Sequence, residues 1–203
     1  MHSAGTSCFR VQGAFKYRTE NSRADFRPIK IRNIAVKRTR ERKQQDFQKK
    51  LSTLTFLDPA CGSGNFLTET YLSLRRLENE ILQELQGGQM VLGYDNMNPI
   101  QVSISQFYGI EINDFAVTVA KTALWIAESQ MMKETESIVL MHLDFLPLKT
   151  NAFIHEGNAL QVDWESVIPK YQLSYIMGNP PFVARFGIPF EKLICKVDIN
   201  IVL

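Results

Sequence analysis

Asn179, Pro180, Pro181 and Phe182 bring carbonyl oxygens and an aromatic face together in one short stretch. Proline has no N–H, and Pro180 biases Asn179 toward extended backbone, so the loop presents acceptors and few donors. Such a loop suits a planar amine carried on a ring: oxygens take the two amine hydrogens while Phe182 stacks on the ring. A second stretch with chemical character lies upstream, from Phe56 through Asp58-Pro59-Ala60-Cys61-Gly62-Ser63-Gly64-Asn65-Phe66 to Leu67. Glycines at 62 and 64 let backbone approach a ligand closely, and the N–H groups that open the following helix suit a carboxylate or a nucleotide moiety. The dinucleotide fingerprint is incomplete, because Leu67 stands where its third glycine would be.

Strands and helices must aim these residues. Ile34 to Leu54 is rich in Lys, Arg, Glu and Gln and is expected to be a polar, exposed helix. Leu54 to Asp58 reads as an apolar strand, and Asn65 to Leu85 carries Leu67, Tyr71, Leu74, Leu77, Ile81 and Leu82 at helical spacing. Gln86-Gly87-Gly88 ends that helix. Gln89 to Ser105 is turn-rich and reads as an insertion. Phe107 to Ile112 is the next strand, followed by a helix capped by Asp114 and running to about Met132. Strands near Ala152–Glu156 and Leu173–Met177 complete the pattern. Strands alternating with helices predict an α/β fold with a parallel sheet, whose ligands sit at the carboxyl ends of the strands. Asp58, Glu111, Glu156 and Asn179 all fall there. An acidic residue in the position of Glu111 commonly accepts hydrogen bonds from ribose hydroxyls; its plainer role is a capping carboxylate before Asp114.

The 203 residues are 45% hydrophobic and 22% charged, the composition of an ordinary globular domain. Residues 1–50 hold fourteen Lys/Arg against four Asp/Glu, a net of +10, whereas the remainder holds nine against seventeen, a net of −8. A basic arm on an acidic domain points to a polyanionic partner or to a solvated tail. Lys37, Arg38, Arg40, Arg42, Lys43, Lys49 and Lys50 would be phosphate contacts in the first case and a water-facing surface in the second. Cys8, Cys61 and Cys195 are odd in number and widely spaced, which indicates neither a disulfide framework nor a metal site and fits a cytoplasmic protein. No apolar run approaches the roughly 18 residues of a membrane span. His142 and His155 lie among apolar residues without a motif partner and are expected to be structural; Trp125 and Trp164 are expected to pack in the core or its rim.

Taken together, Asp58-Pro59-Ala60-Cys61-Gly62-Ser63-Gly64-Asn65-Phe66-Leu67, Gly109-Ile110-Glu111-Ile112-Asn113 and Gly178-Asn179-Pro180-Pro181-Phe182 resemble the S-adenosylmethionine-dependent adenine DNA methyltransferases. The nearest resemblance is to the MmeI-like restriction-modification enzymes, over about residues 54–184. It implies a class I methyltransferase fold, a Rossmann-like doubly wound sheet, incomplete here at its carboxyl-terminal strands. It further implies S-adenosyl-L-methionine held by Asp58, Ala60, Gly62, Gly64, Asn65, Phe66, Glu111, Ile112, Asn158 and Ala159. Within that set the Asn158 side-chain oxygen would meet the cofactor's adenine amine. The catalytic group would be Asn179, Pro180, Pro181 and Phe182, acting without metal on an adenine flipped out of double-stranded DNA.

On this reading residues 1–53 form a basic arm and helix, 54–184 a partial methyltransferase domain and 185–203 a divergent tail. Arg185 to Leu203 does not resemble the family's continuation, and Gly13 to Thr19 only weakly echoes a cofactor-contacting segment. A recognition domain does not fit between Asp58 and Asn179, so it is expected after the catalytic loop, the gamma arrangement, supplied by adjacent sequence or another chain. Two alternatives accompany this reading. One is methylation of a release-factor glutamine or a ribosomal RNA guanine, since those enzymes share Asn-Pro-Pro-aromatic. The other is a fragment that binds cofactor without turnover.

Overall fold

In a computed structural model of the protein, the structure describes residues 34–86, 99–140, 142–143 and 150–179. Four strands, β1 (Phe56–Asp58), β2 (Phe107–Glu111), β3 (Phe153–Glu156) and β4 (Tyr175–Ile176), form one parallel sheet in the order β3-β2-β1-β4. The order reverses at β1, because successive strands lie to one side of it and β4 to the other. That switch point is where an open α/β sheet leaves a crevice above its carboxyl ends.

Helix α1 (Ile34–Ser52) precedes the sheet; α2 (Asn65–Gln86) and α3 (Asp114–Val139) follow β1 and β2. Leu67, Tyr71, Leu74, Leu77 and Ile81 of α2 meet Val117, Ala120, Leu124, Ala127 and Met131 of α3 in one apolar core. Each helix buries one stripe at helical spacing, as an amphipathic helix on a sheet must. Phe56 stacks on Phe107 at 5.2 Å and on Tyr175 at 5.4 Å, so β2, β1 and β4 share an aromatic floor. On the opposite face Leu57, Ile110 and Ile168 pack with Tyr108, Trp164 and Leu173.

Several elements depart from expectation. Asn113, not Asp114, caps α3, accepting from the Ala116 N–H at 3.1 Å, and the helix continues to Val139. A short helix, α4 (Trp164–Val167), and a 3₁₀ turn (Lys170–Gln172) occupy the crossover between β3 and β4. The strands are trimmed relative to expectation, β4 to two residues. Residues 99–105 are not a loose insertion: Val102 and Ile104 are buried, and Ser103 with Gln106 forms a capping box into β2. Gly87 to Asn98, the segments before Ile34 and those after Asn179 lie outside the described residues.

The polar helix α1 is not simply solvated. Gln44 and Gln48 are buried against α2. Gln48 donates to Glu78 Oε1 at 2.8 Å and to the Pro99 carbonyl at 2.7 Å. Glu78, itself fully buried, pairs with buried Arg75 and accepts the Gln101 N–H at 2.7 Å. Arg75 reaches Thr135 of α3 at 2.7 Å. This network ties α1, α2, α3 and the approach to β2, and it partners most of its buried polar atoms, with Arg75 Nε left over. Arg40 pairs with Glu84, whereas Arg42, Lys43, Lys49 and Lys50 are exposed. Both described histidines are solvent-facing rather than set among apolar side chains: His142 is 87% exposed beside Glu136, and His155 is exposed on β3. Among the described residues no helix is long and apolar enough to cross a membrane.

Candidate active site

The carboxyl ends of β1, β2 and β3 converge on the glycine turn. Gly62 and Gly64 have φ of +54° and +80°, conformations that side-chain-bearing residues rarely adopt. Hydrogen bonds to β1 and β2 fix the turn. Asp58 Oδ1 accepts the Ala60 N–H at 3.0 Å, the Cys61 N–H donates to the Ile110 carbonyl at 3.1 Å, and the Gly62 N–H donates to Glu111 Oε2 at 2.9 Å. Glu111 uses its other oxygen on the Asn113 N–H at 3.0 Å, and its carbonyl accepts the Gly157 N–H at 2.8 Å. One residue at the end of β2 therefore clips together the loops after β1, β2 and β3. Each of its carboxylate oxygens keeps a second lone pair. The capping role and a ligand-facing role are thus compatible at Glu111.

Asn158 accepts the Leu160 N–H on Oδ1 at 3.0 Å, and its carbonyl accepts from Gln161 and Val162 at 2.8 and 2.9 Å. Trp164 then donates its indole N–H to the Ala159 carbonyl at 2.8 Å. Trp164, read from sequence as packing alone, is thus also a brace for the loop that carries Asn158 and Ala159. Ile112, Phe115 and Leu160 stay exposed at this end of the sheet, at 69%, 73% and 42%. Asn65 is exposed and Phe66 half-buried at the start of α2, where Asn65 Oδ1 accepts from Ser63 Oγ at 3.3 Å.

Asp58 behaves differently from Glu111. It is 1% exposed, its Oδ2 has no hydrogen-bond partner among the described residues, and burial, reinforced by nearby Glu111, pushes its pKa up to about 7. Burial likewise pushes the Cys61 thiol up to about 12, which makes it packing material rather than a nucleophile. β4 pairs with β1 through Leu57 and Ile176, and the Met177 N–H donates to the Leu57 carbonyl at 2.9 Å. The strand thereby delivers Gly178 onto Asp58, with Asn179 next and exposed. Asn179 and the glycine turn thus stand at the ends of adjacent strands. Pro180, Pro181 and Phe182 lie outside the described residues.

A parallel sheet that reverses at β1, a glycine turn after that strand and a carboxylate ending the next define a Rossmann-like cofactor-binding domain. The chain belongs to the MmeI DNA-methyltransferase domain family, whose model matches residues 34–189 and so takes in α1. It is 44% identical to DNA methyltransferase A of Bacillus subtilis (strain 168) over 144 residues, 70% of this chain and 16% of that protein. It is 32% identical over 74 residues to the adenine-specific methyltransferase PglX of Streptomyces coelicolor, covering 36% of this chain and 5% of the relative. A solved structure of the type IIL restriction-modification enzyme MmeI in complex with DNA superposes with a TM-score of 0.64 and 44% identity, over 70% of this chain and 19% of that one. The chain therefore spans less than a fifth of the length of these relatives.

Proposed function

We propose that this chain carries the site that transfers a methyl group from S-adenosylmethionine to the 6-amino group of adenine in double-stranded DNA, as part of a restriction-modification protein. The observation that carries the reading is the pairing of β4 with β1, which sets the Asn179 end of one strand beside the glycine turn of the other. A group transfer between two bound molecules needs its two sites adjoining, and this pairing supports that reading.

The residues present fit the cofactor. A Cβ placed on Gly62 would meet nothing within 4 Å, so the turn borders open space. Glu111 has lone pairs left for ribose hydroxyls, and Ile112 and Leu160 expose apolar surface to a purine at the same end of the sheet. When bound, the cofactor supplies an activated methyl on a sulfonium. The chain's own part is to hold and orient. The Asn179 side-chain oxygen and the Pro180 carbonyl accept the two amine hydrogens of the adenine, which favours a pyramidal nitrogen with an available lone pair. Phe182 stacks on the flipped ring. Positioning and preorganised acceptors supply the rate, with no covalent intermediate on the protein. The DNA partner is supported by the likeness to MmeI, solved in complex with DNA, and the adenine target by the likeness to PglX.

Incubation with methyl-labelled cofactor and, separately, double-stranded DNA, ribosomal RNA and a release factor tests the proposal. Label is expected in N6-methyladenine of DNA. Label confined to RNA or protein, or absence of any heat on calorimetric titration with S-adenosylmethionine, rejects it.

A further inference from the structure

We infer that Asp58 is a positioning residue joining the glycine turn to the catalytic loop, acting through the shape of its buried carboxyl rather than as a charged ligand. The inference rests on the methyltransferase reading for its purpose, but its geometry stands independently of that reading. Asp58 Oδ1 accepts the Ala60 N–H at 3.0 Å and thereby holds the start of the turn. On its other side, a Cβ at Gly178 would stand 2.5 Å from Oδ1 and 3.0 Å from Cγ. The Cα–H that Gly178 carries in place of a side chain consequently points at the carboxyl, the arrangement of a weak C–H to oxygen contact. Gly178 has φ of +149°, a conformation rarely open to other residues. Asn179 is the next residue, so a displacement of this carboxyl moves the amide donor on one side and the base of the catalytic loop on the other.

A charged role is disfavoured by the surroundings. The titratable groups that face Asp58 are Glu111 from the end of β2 and Cys61 from the turn; the β4 side presents Gly178, which has none. Among the described residues no Lys, Arg or His pairs with it, and Oδ2 is sealed from water without a partner. A carboxyl buried beside another carboxylate, with no cation, holds its proton more tightly than a solvated one. Burial raising it to about 7 agrees with that geometry.

The test is a pH titration of the full chain labelled with ¹⁵N at alanine and glycine, combined with calorimetry of S-adenosylmethionine binding. The Ala60 and Gly178 amide resonances are expected to move together with one midpoint near 7, and Asp58→Asn is expected to abolish both movements. Asp58→Ala is expected to weaken cofactor binding about tenfold, while the isosteric Asn recovers most of the loss. Cofactor should shift the Gly178 resonance in the wild type and in Asp58→Asn but not in Asp58→Ala. The inference is overturned if Gly178 ignores the titration that moves Ala60, or if the midpoint lies at the ordinary 3.8. It is also overturned if Asp58→Asn binds cofactor as weakly as Asp58→Ala, the signature of a charged ligand. A wild-type chain that binds no S-adenosylmethionine yet keeps the shared midpoint rejects the methyltransferase reading while upholding the coupling.

Discussion

The ends of β2 and β4 flank the same crevice and are built in opposite ways. At β2, Glu111 gathers the N–H groups of Gly62 and Asn113 on its side chain and that of Gly157 on its carbonyl. At β4, two strand residues pair with β1, and the residues that follow meet a buried carboxyl with one oxygen unpartnered. The Glu111 end is thus held by satisfied polar groups, the Asn179 end by close packing against an incompletely satisfied one. Saturation gives a preformed seat; partial saturation leaves a junction sensitive to protonation and to what binds nearby.

Substitutions can break that contrast. The largest effect is expected from Asn179→Ala, which removes the acceptor proposed for the reacting amine: methyl transfer should fall by about a hundred- to a thousandfold while cofactor affinity stays within about threefold. Single-turnover kinetics beside calorimetry separate the two quantities. Next comes pH. The folded Asp58 pKa of about 7 lies above its ordinary 3.8, so the native state binds the proton more tightly, and stability contributed by this group falls as pH rises from about 4 to 7 and is flat beyond. Urea midpoints should show the wild type losing about 2–3 kcal/mol between pH 5 and 8 relative to Asp58→Asn.

Glu111→Gln sharpens the comparison from the saturated side. It leaves one acceptor oxygen where two were in use, so the Gly62 or the Asn113 N–H loses its partner. A cost of about 1–2 kcal/mol is expected in denaturation, together with roughly tenfold weaker cofactor binding. A cost confined to binding would show that the clip is unnecessary to the fold. The smallest effect belongs to Trp164→Phe, which keeps the ring but drops the bond to the Ala159 carbonyl. About 1 kcal/mol of stability should go, with a slight loss of cofactor affinity and no change in its pH dependence.

Much of this architecture was legible in the residues themselves. The apolar spacing of α2 and the glycine turn marked their elements because period and backbone permissiveness are local properties. Glu111 was locatable because it ends an apolar run. What escaped reading depends on partners far along the chain. Gln48, Arg75 and Glu78 look like surface residues until they bond to one another in the interior, and buried Gln44 until it meets Glu84. Asn113 and Asp114 are adjacent, equally competent caps, and only the turn out of β2 chooses between them. The extension of α3 beyond Met132 relies on Thr135 meeting Arg75 and Asn79, a contact across sixty residues that no local pattern announces. Trp164 fell in the same class: it packs against the core as expected, but the bond from its indole N–H to the Ala159 carbonyl was not foreseeable from local pattern.

The Glu78 carboxylate has one more implication. Because it grips the Gln101 N–H while Gln48 holds the Pro99 carbonyl, the chain re-enters the domain from a fixed mooring, independent of the path taken between Gln86 and Pro99. Lengthening a connection costs only a logarithmic closure entropy. A peptide epitope or fluorescent reporter spliced between Gly87 and Asn98 should therefore leave the register of Phe56 on Phe107 untouched, which makes that stretch the natural place to tag the molecule.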